Sequence, residues 1–281
     1  MTTYDLHQHL WPETLLGALA ARAQPPRLRG SLLELERGGA SEIDLNAHRL
    51  DVRLAVLDRA GIDVALVSCP PTLELDPELD AAYHEGILEV VAAAGGRVIA
   101  LASGLALDGF AGACVAADAL ADLDELSPLL DQLERRGELL FVHPGPPGLV
   151  DGRPPWWDAV VDYTAQMQSA WAAWLAAGAE RWPDLNVVFA ILAGGGPIQL
   201  ERLASRGIET RTVLHPHVYL DTSSYGTRAL ELALSIYGVG QLVYGSDLPV
   251  IDPAPTRQAV EGFGENVAKA LLEENPMRLL G

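Results

Sequence analysis

The chain has 281 residues, 49% of them hydrophobic, which is enough for a large core and suits one α/β barrel or two ordinary domains. It carries 38 acidic and 19 basic residues, a net charge of -19, which argues against nucleic acid and against anionic membrane surfaces as partners. Its two cysteines, Cys69 and Cys114, each sit in an apolar run and read as buried free thiols rather than a disulfide.

Short apolar runs recur along the chain, each next to a helix-like stretch. The first, Tyr4 to Leu10, contains His7 and His9. On a strand, residues i and i+2 point to the same face, so both imidazoles would project into one space. The next runs are Asp63–Ser68, after a helical pattern that stops at Gly61, and Arg97–Leu105, after one that stops at Gly95 and Gly96. A weaker run is "GACVAAD". Then come Glu138–Gly145, Asn186–Gly196, Val218–Ser224 and Gln241–Val250. Strands alternating with helices predict parallel βαβ units. The length fits a single (β/α)₈ TIM-barrel domain over 1–281, with 10–48 as a helical insertion in the first βα loop. A doubly wound open sheet is the alternative, weakened because no glycine-rich phosphate loop follows the first strand.

In a parallel barrel the reactive side chains sit where strands end and βα loops begin. Those ends offer His7 and His9, then His143 in "FVHPG", Asp221, Thr222 and Ser223 in "YLDTSS", and Ser246 and Asp247 in "VYGSDLPV". Three imidazoles and a carboxylate at one level can hold one Zn²⁺ or similar ion while leaving room for water. Singly, each has a plain alternative: a strand-end histidine, or a turn aspartate before proline. Arg153, Trp156 and Trp157 follow His143 in "DGRPPWWD". There an arginine could meet a substrate carboxylate, or the loop could simply lie on the surface.

"DLHQHLW", "FVHPG", "RWPDLNVVFAILAGGGP", "HPHVYLDTSS", "VYGSDLPV" and "LLEENPMRLLG" follow one another in order. Together they resemble the amidohydrolase superfamily, in the branch that includes the aminocarboxymuconate-semialdehyde decarboxylase-like enzymes. The resemblance spans essentially the whole chain. It implies a TIM barrel of amidohydrolase type with one divalent metal in its mouth, zinc in the first instance and manganese or cobalt otherwise. By position the ligands would be His7, His9, His143 and Asp247, with Ser246 and the Arg153–Trp156 loop beside the substrate. Two-metal members bridge their ions with a carboxylated lysine. The one lysine here, Lys269, is not at a strand end, which favours a single ion. One departure stands out: where the family has a sixth-strand histidine, "FAILAGGGP" aligned on its glycines places Leu192, a wall that cannot titrate.

Three functions follow as expectations. The first is a hydrolase of a small amide, lactone or ester, with a metal-activated water and Asp247 as general base. The second is a non-oxidative decarboxylase of an aromatic or unsaturated carboxylic acid. The third is a barrel that binds metal and ligand without turnover. With no secretory leader pattern and no membrane-length apolar run, the expected setting is cytoplasmic. The expected partner is a small-molecule substrate, and a homodimer is compatible with the sequence.

Overall fold

The computed structural model describes residues 1–37, 39–105, 108–148, 152–209 and 214–281. All eight expected strands are present: β1 (Tyr4–His9), β2 (Val64–Ser68), β3 (Val98–Ala100), β4 (Gly112–Ala116), β5 (Leu139–His143), β6 (Val187–Phe189), β7 (Val218–Asp221) and β8 (Leu242–Val243). They pair in parallel in two runs, β1 to β3 and β4 to β8. Two parallel bridges, Ala102 with Ala113 and Gln8 with Leu248, join the runs at both edges. The sheet therefore closes into a (β/α)₈ barrel, and closure leaves no free edge.

The strands are buried almost throughout, as parallel strands covered by helices should be. The surrounding helices start and stop where the sequence signals. Asp76 and Asp122 cap Pro77–Ala93 and Leu123–Arg136 by accepting two first-turn amides each. Gly61 and Gly137 end helices in the left-handed conformation.

Two expectations about local structure are corrected. The 10–48 segment is not simply helical. Helix Glu13–Ala21 is followed by a three-stranded antiparallel sheet, Arg27–Arg29, Leu32–Glu34 and Ala40–Glu42. Strands of three residues hold too few alternations to show a period in the sequence. The run Asn186–Gly196 is not strand to its end. β6 stops at Phe189, and the segment Ile191–Ala204 opens with a left-handed turn. Ile191, Leu192 and Ala193 there have φ of 46°, 50° and 52°, before Gly194 and Gly195.

His48 closes the insertion on itself, fastening its far end to Trp11 just after β1. Its Nδ1 accepts the Trp11 amide at 3.1 Å, and its ring stacks on the Trp11 indole at 4.7 Å. Burial, helped by the nearby charges of Arg53 and His9, pushes its pKa down to about 4. The folded chain thus keeps His48 neutral, while the unfolded chain protonates it below about 6.5. Stability should be fully present above pH 6.5 and fall as the pH drops toward 4, by up to about 3 kcal/mol from this group. Urea unfolding at pH 7.5 and 4.5 should show a smaller acid loss in His48→Asn, which keeps an acceptor but cannot charge. An equal loss in both proteins would assign the acid sensitivity elsewhere.

Candidate active site

The C-terminal ends of β1, β5 and β8 place His7, His9, His143 and Asp247 together. One ligand atom from each lies within 4.8 Å of all the others. The three imidazoles form a triangle with every centroid pair at 5.1 Å and ring planes 83° to 87° apart. Asp247 Oδ1 lies 3.2 Å from His9 Nε2 and 3.7 Å from His7 Nε2.

Each ring is oriented from behind. His7 Nδ1 meets Asp221 Oδ2 at 2.7 Å and Ser223 Oγ at 3.1 Å. His143 Nδ1 lies 2.8 Å from the Pro144 carbonyl. His9 Nδ1 lies 3.3 Å from the carbonyl and from Oγ of Ser68. A carboxylate or carbonyl cannot donate, so the Nδ1–H of His7 and that of His143 donate outward and turn Nε2 toward the centre of the cluster, as a free lone pair on neutral His143. His7 Nε2 is buried and has no hydrogen-bond partner. A buried polar atom without a partner is costly unless something fills the place in front of it.

The electrostatics agree. Burial alone would depress the His7 pKa, but the carboxylates of Asp221, Asp247 and Asp5 outweigh it and raise it to about 9. The pocket therefore stabilises positive charge on a fully enclosed ring. Burial, with its imidazole neighbours, holds His143 well below the usual range, and burial also lowers His9. Burial would raise Asp247, yet the His9 hydrogen bond and the three imidazoles keep it below the ordinary carboxylate range. Three outward-anchored imidazoles and one carboxylate suit a single divalent transition-metal ion.

These groups sit on the floor of a cavity of about 390 Å³. Its walls are Pro70, Pro144, Ala159, Val160, Ile191, Val250 and Ile251, with hydroxyls from Thr72, Tyr163, Thr164, Ser224 and Tyr225. Asp247 is the carboxylate that faces it among the described residues, and it is 15% exposed. Its backbone lies at φ 60°, a left-handed position that aspartate tolerates better than most residues.

Four residues expected beside the substrate are elsewhere. Arg153 does not line the cavity. Its guanidinium is 2.6 Å from Asp162 Oδ2 and packs over Trp157. Trp156 is 56% exposed on the outer surface. Ser246 is fully buried and turned into the wall, where its amide donates to Asp5 and its Oγ accepts the Leu248 amide. Leu192 is buried in the core, and the left-handed turn after β6 presents Ile191 to the cavity instead. The sixth-strand wall is apolar as expected, one residue earlier than the glycine alignment placed it. Asp221 was visible at its strand end, but its role behind His7 was not. His215 and His217 lie before β7, and His217 pairs with Asn186 just before β6, at the opposite barrel end from the imidazole triangle.

Barrel and site together define a (β/α)₈ protein whose strand ends carry four residues placed to hold one divalent ion. The amidohydrolase family profile matches residues 4–281, and the chain belongs to that family. A relative in sequence is the 2-amino-3-carboxymuconate-6-semialdehyde decarboxylase of Dictyostelium discoideum. It is 25% identical over 284 residues, covering 85% of this chain and 79% of that protein. Among solved structures, the apo form of Metarhizium anisopliae IDCase matches with a TM-score of 0.80 at 20% identity, covering 99% of this chain and 97% of that one. The 5-carboxyvanillate decarboxylase of Novosphingobium aromaticivorans, complexed with manganese and 4-hydroxy-3-methoxy-5-nitrobenzoic acid, matches with a TM-score of 0.71 at 16% identity, covering 99% and 96%.

Removing an outer partner of a metal-bound histidine typically costs ~10–100-fold in metal affinity. Asp221→Asn should weaken divalent-metal binding by about that factor while leaving the barrel's circular dichroism unchanged. Chelator competition measures it. An affinity equal to wild type would remove Asp221 from the support of His7.

Proposed function

We propose that this protein is a divalent-metal-dependent decarboxylase that removes CO₂ from a small carboxylic acid without oxidation. What carries the reading is the cavity: one cation-stabilising cluster on the floor, and walls that are otherwise apolar or neutral. The decarboxylase names of its relatives, including the one alike in sequence, support it over the hydrolase expectation. His7, His9, His143 and Asp247 would hold the ion, and manganese in a related structure makes Mn²⁺ as natural a candidate as Zn²⁺. When bound, the metal supplies a positive charge that fixes a substrate oxygen and offsets negative charge on the substrate.

The chain's own groups then have defined tasks. The bond between the carboxyl carbon and its neighbour breaks, the electron pair stays on the neighbouring carbon, and CO₂ leaves. A proton must replace it. Asp247 is the cavity-facing carboxylate and can carry that proton, taken from a substrate hydroxyl or from solvent. Apolar walls such as Ile191, Val160 and Val250 favour neutral CO₂ over a solvated carboxylate and limit water beside the reacting carbon. The hydroxyls of Tyr163, Thr164 and Tyr225 can orient neutral substrate oxygens.

Protein loaded with Mn²⁺ or Zn²⁺ should release CO₂ from hydroxybenzoates or unsaturated acids, and should exchange the product's corresponding C–H in D₂O. Asp247→Asn should lower both by ~10²–10⁴-fold, the usual cost of losing a general acid–base, with metal content falling far less. Turnover of lactones or amides with no CO₂ from any acid in the panel would return the assignment to hydrolysis. Near wild-type activity in Asp247→Asn would place the proton on another group.

A further inference from the structure

Resting on the carboxylate reading above, we propose that the cavity selects monocarboxylates and rejects dicarboxylates, because among the described residues that line it no second cation awaits a second carboxylate. Among the described residues, those lining the cavity include no lysine and no arginine. The polar groups outside the metal cluster are neutral hydroxyls: Thr72, Tyr163, Thr164, Ser224 and Tyr225. Burial, together with Asp158, Asp247 and Asp162, pushes the Tyr163 phenol up to about 12, so it stays a neutral donor through the working pH range.

The arginine that follows β5 is already spent. Arg153 sits 2.6 Å from Asp162 Oδ2 and 3.9 Å from Asp158 Oδ1. Asp162 is itself fixed by the Gly148 amide at 3.0 Å. Two carboxylates thus neutralise one guanidinium, and the helical turn Asp158–Asp162 that frames the mouth keeps an excess of negative charge. Val160, on the same turn, contributes only an apolar side chain to the cavity. A second carboxylate held away from the metal would be desolvated against apolar walls, beside the turn that carries Asp158 and Asp162. Burying an unpaired charge beside like charges is strongly unfavourable, and such misplacement is an effective means of discrimination.

Three ligands that share one hydroxy–carboxylate end separate charge from size. They are 2-hydroxybenzoate, 2-hydroxyisophthalate, and the monomethyl ester of 2-hydroxyisophthalate. Calorimetric titration of the Mn²⁺-loaded protein reads binding and needs no turnover. The first and the ester should bind within about tenfold of each other, and the dicarboxylate at least about a hundredfold more weakly. Val160→Arg should then improve the dicarboxylate relative to the ester by tenfold or more. A dicarboxylate that binds as tightly as 2-hydroxybenzoate would overturn the inference. Equal rejection of dicarboxylate and ester would also overturn it, since size would then be the cause. If none of the three binds the metal-loaded protein, the carboxylate reading of the site falls, and this inference with it.

Discussion

The candidate metal centre hangs on a single extra residue in β1. Asp5 faces Ala65 and Gln8 faces Val67, so three steps along β1 run beside two along β2. Such a bulge leaves a backbone group without its ladder partner and re-aims the side chains beside it. The stranded donor is the His7 amide, and Asp5 Oδ1 accepts it at 3.2 Å. The same carboxylate accepts the Ser246 amide from the loop after β8 and the Gln8 amide group. Gln8 in turn accepts from Arg53, whose guanidinium also donates to the carbonyls of His9 and Ala47. Asp5 and Arg53 are both buried, so each has its pKa displaced toward the neutral form, Arg53 to about 10. A buried pair bridged through an amide gives little net stability, but breaking it would strand a charge in the core. What the network does give is position: it fixes the backbone on both sides of the two histidines and ties the barrel's closing seam to them.

The seam imposes a second constraint. At Gly245 a Cβ would lie 2.7 Å from the His7 Cβ and 2.9 Å from Asp221 Oδ1, so only glycine lets β8 pass behind the histidine and its carboxylate. Immediately afterwards Asp247 takes its left-handed backbone, and its amide donates to the His7 carbonyl at 2.8 Å. Two left-handed, sterically restricted positions therefore flank the site, one in the loop after β8 and one in the turn after β6. Left-handed backbone costs an L-residue ~1–2 kcal/mol. It persists here because close packing permits no relaxation: at Gly194 a Cβ would fall 2.4 Å from the Thr164 carbonyl. The strain aims Asp247 and Ile191 into one cavity.

Much of this was legible in the sequence, and the limit is physical. Strand-end position is a one-dimensional property, and His7, His9, His143 and Asp247 each stand at such an end. Period-two geometry then brings the first pair together, and barrel closure brings in the rest. Side-chain direction beyond a strand end depends on turn conformation, which composition does not encode. Ser246 and Asp247 are neighbours, yet one closes the wall and the other faces the cavity. Leu192 lost its place to Ile191 because the turn after β6 is left-handed. Arg153 looked available because its competitor, Asp162, sits nine residues away on the next helical turn, a pairing that only the folded loop makes. The part Asp5 plays has no signal in the sequence, since a bulge leaves no mark on a hydrophobic pattern.

The overall charge gives the cavity its character. An acidic protein repels anions at long range, and the surroundings of this cavity repeat that sign in Asp158, Asp162, Asp221 and Asp247. A carboxylate substrate therefore has one favourable destination, the cation that the three imidazoles and Asp247 can hold. The same carboxylates that raise the pKa of His7 to about 9 would stabilise that cation, so local acidity serves its retention rather than opposing the substrate. With a cation held at that one point and neutral walls elsewhere, a carboxylate substrate of the proposed kind would be oriented by its own charge, carboxyl end toward the cluster and apolar body against Ile191, Val160 and Val250. On the proposed reaction, loss of CO₂ would remove the charge that brought the substrate in and leave a product that the neutral walls hold only weakly.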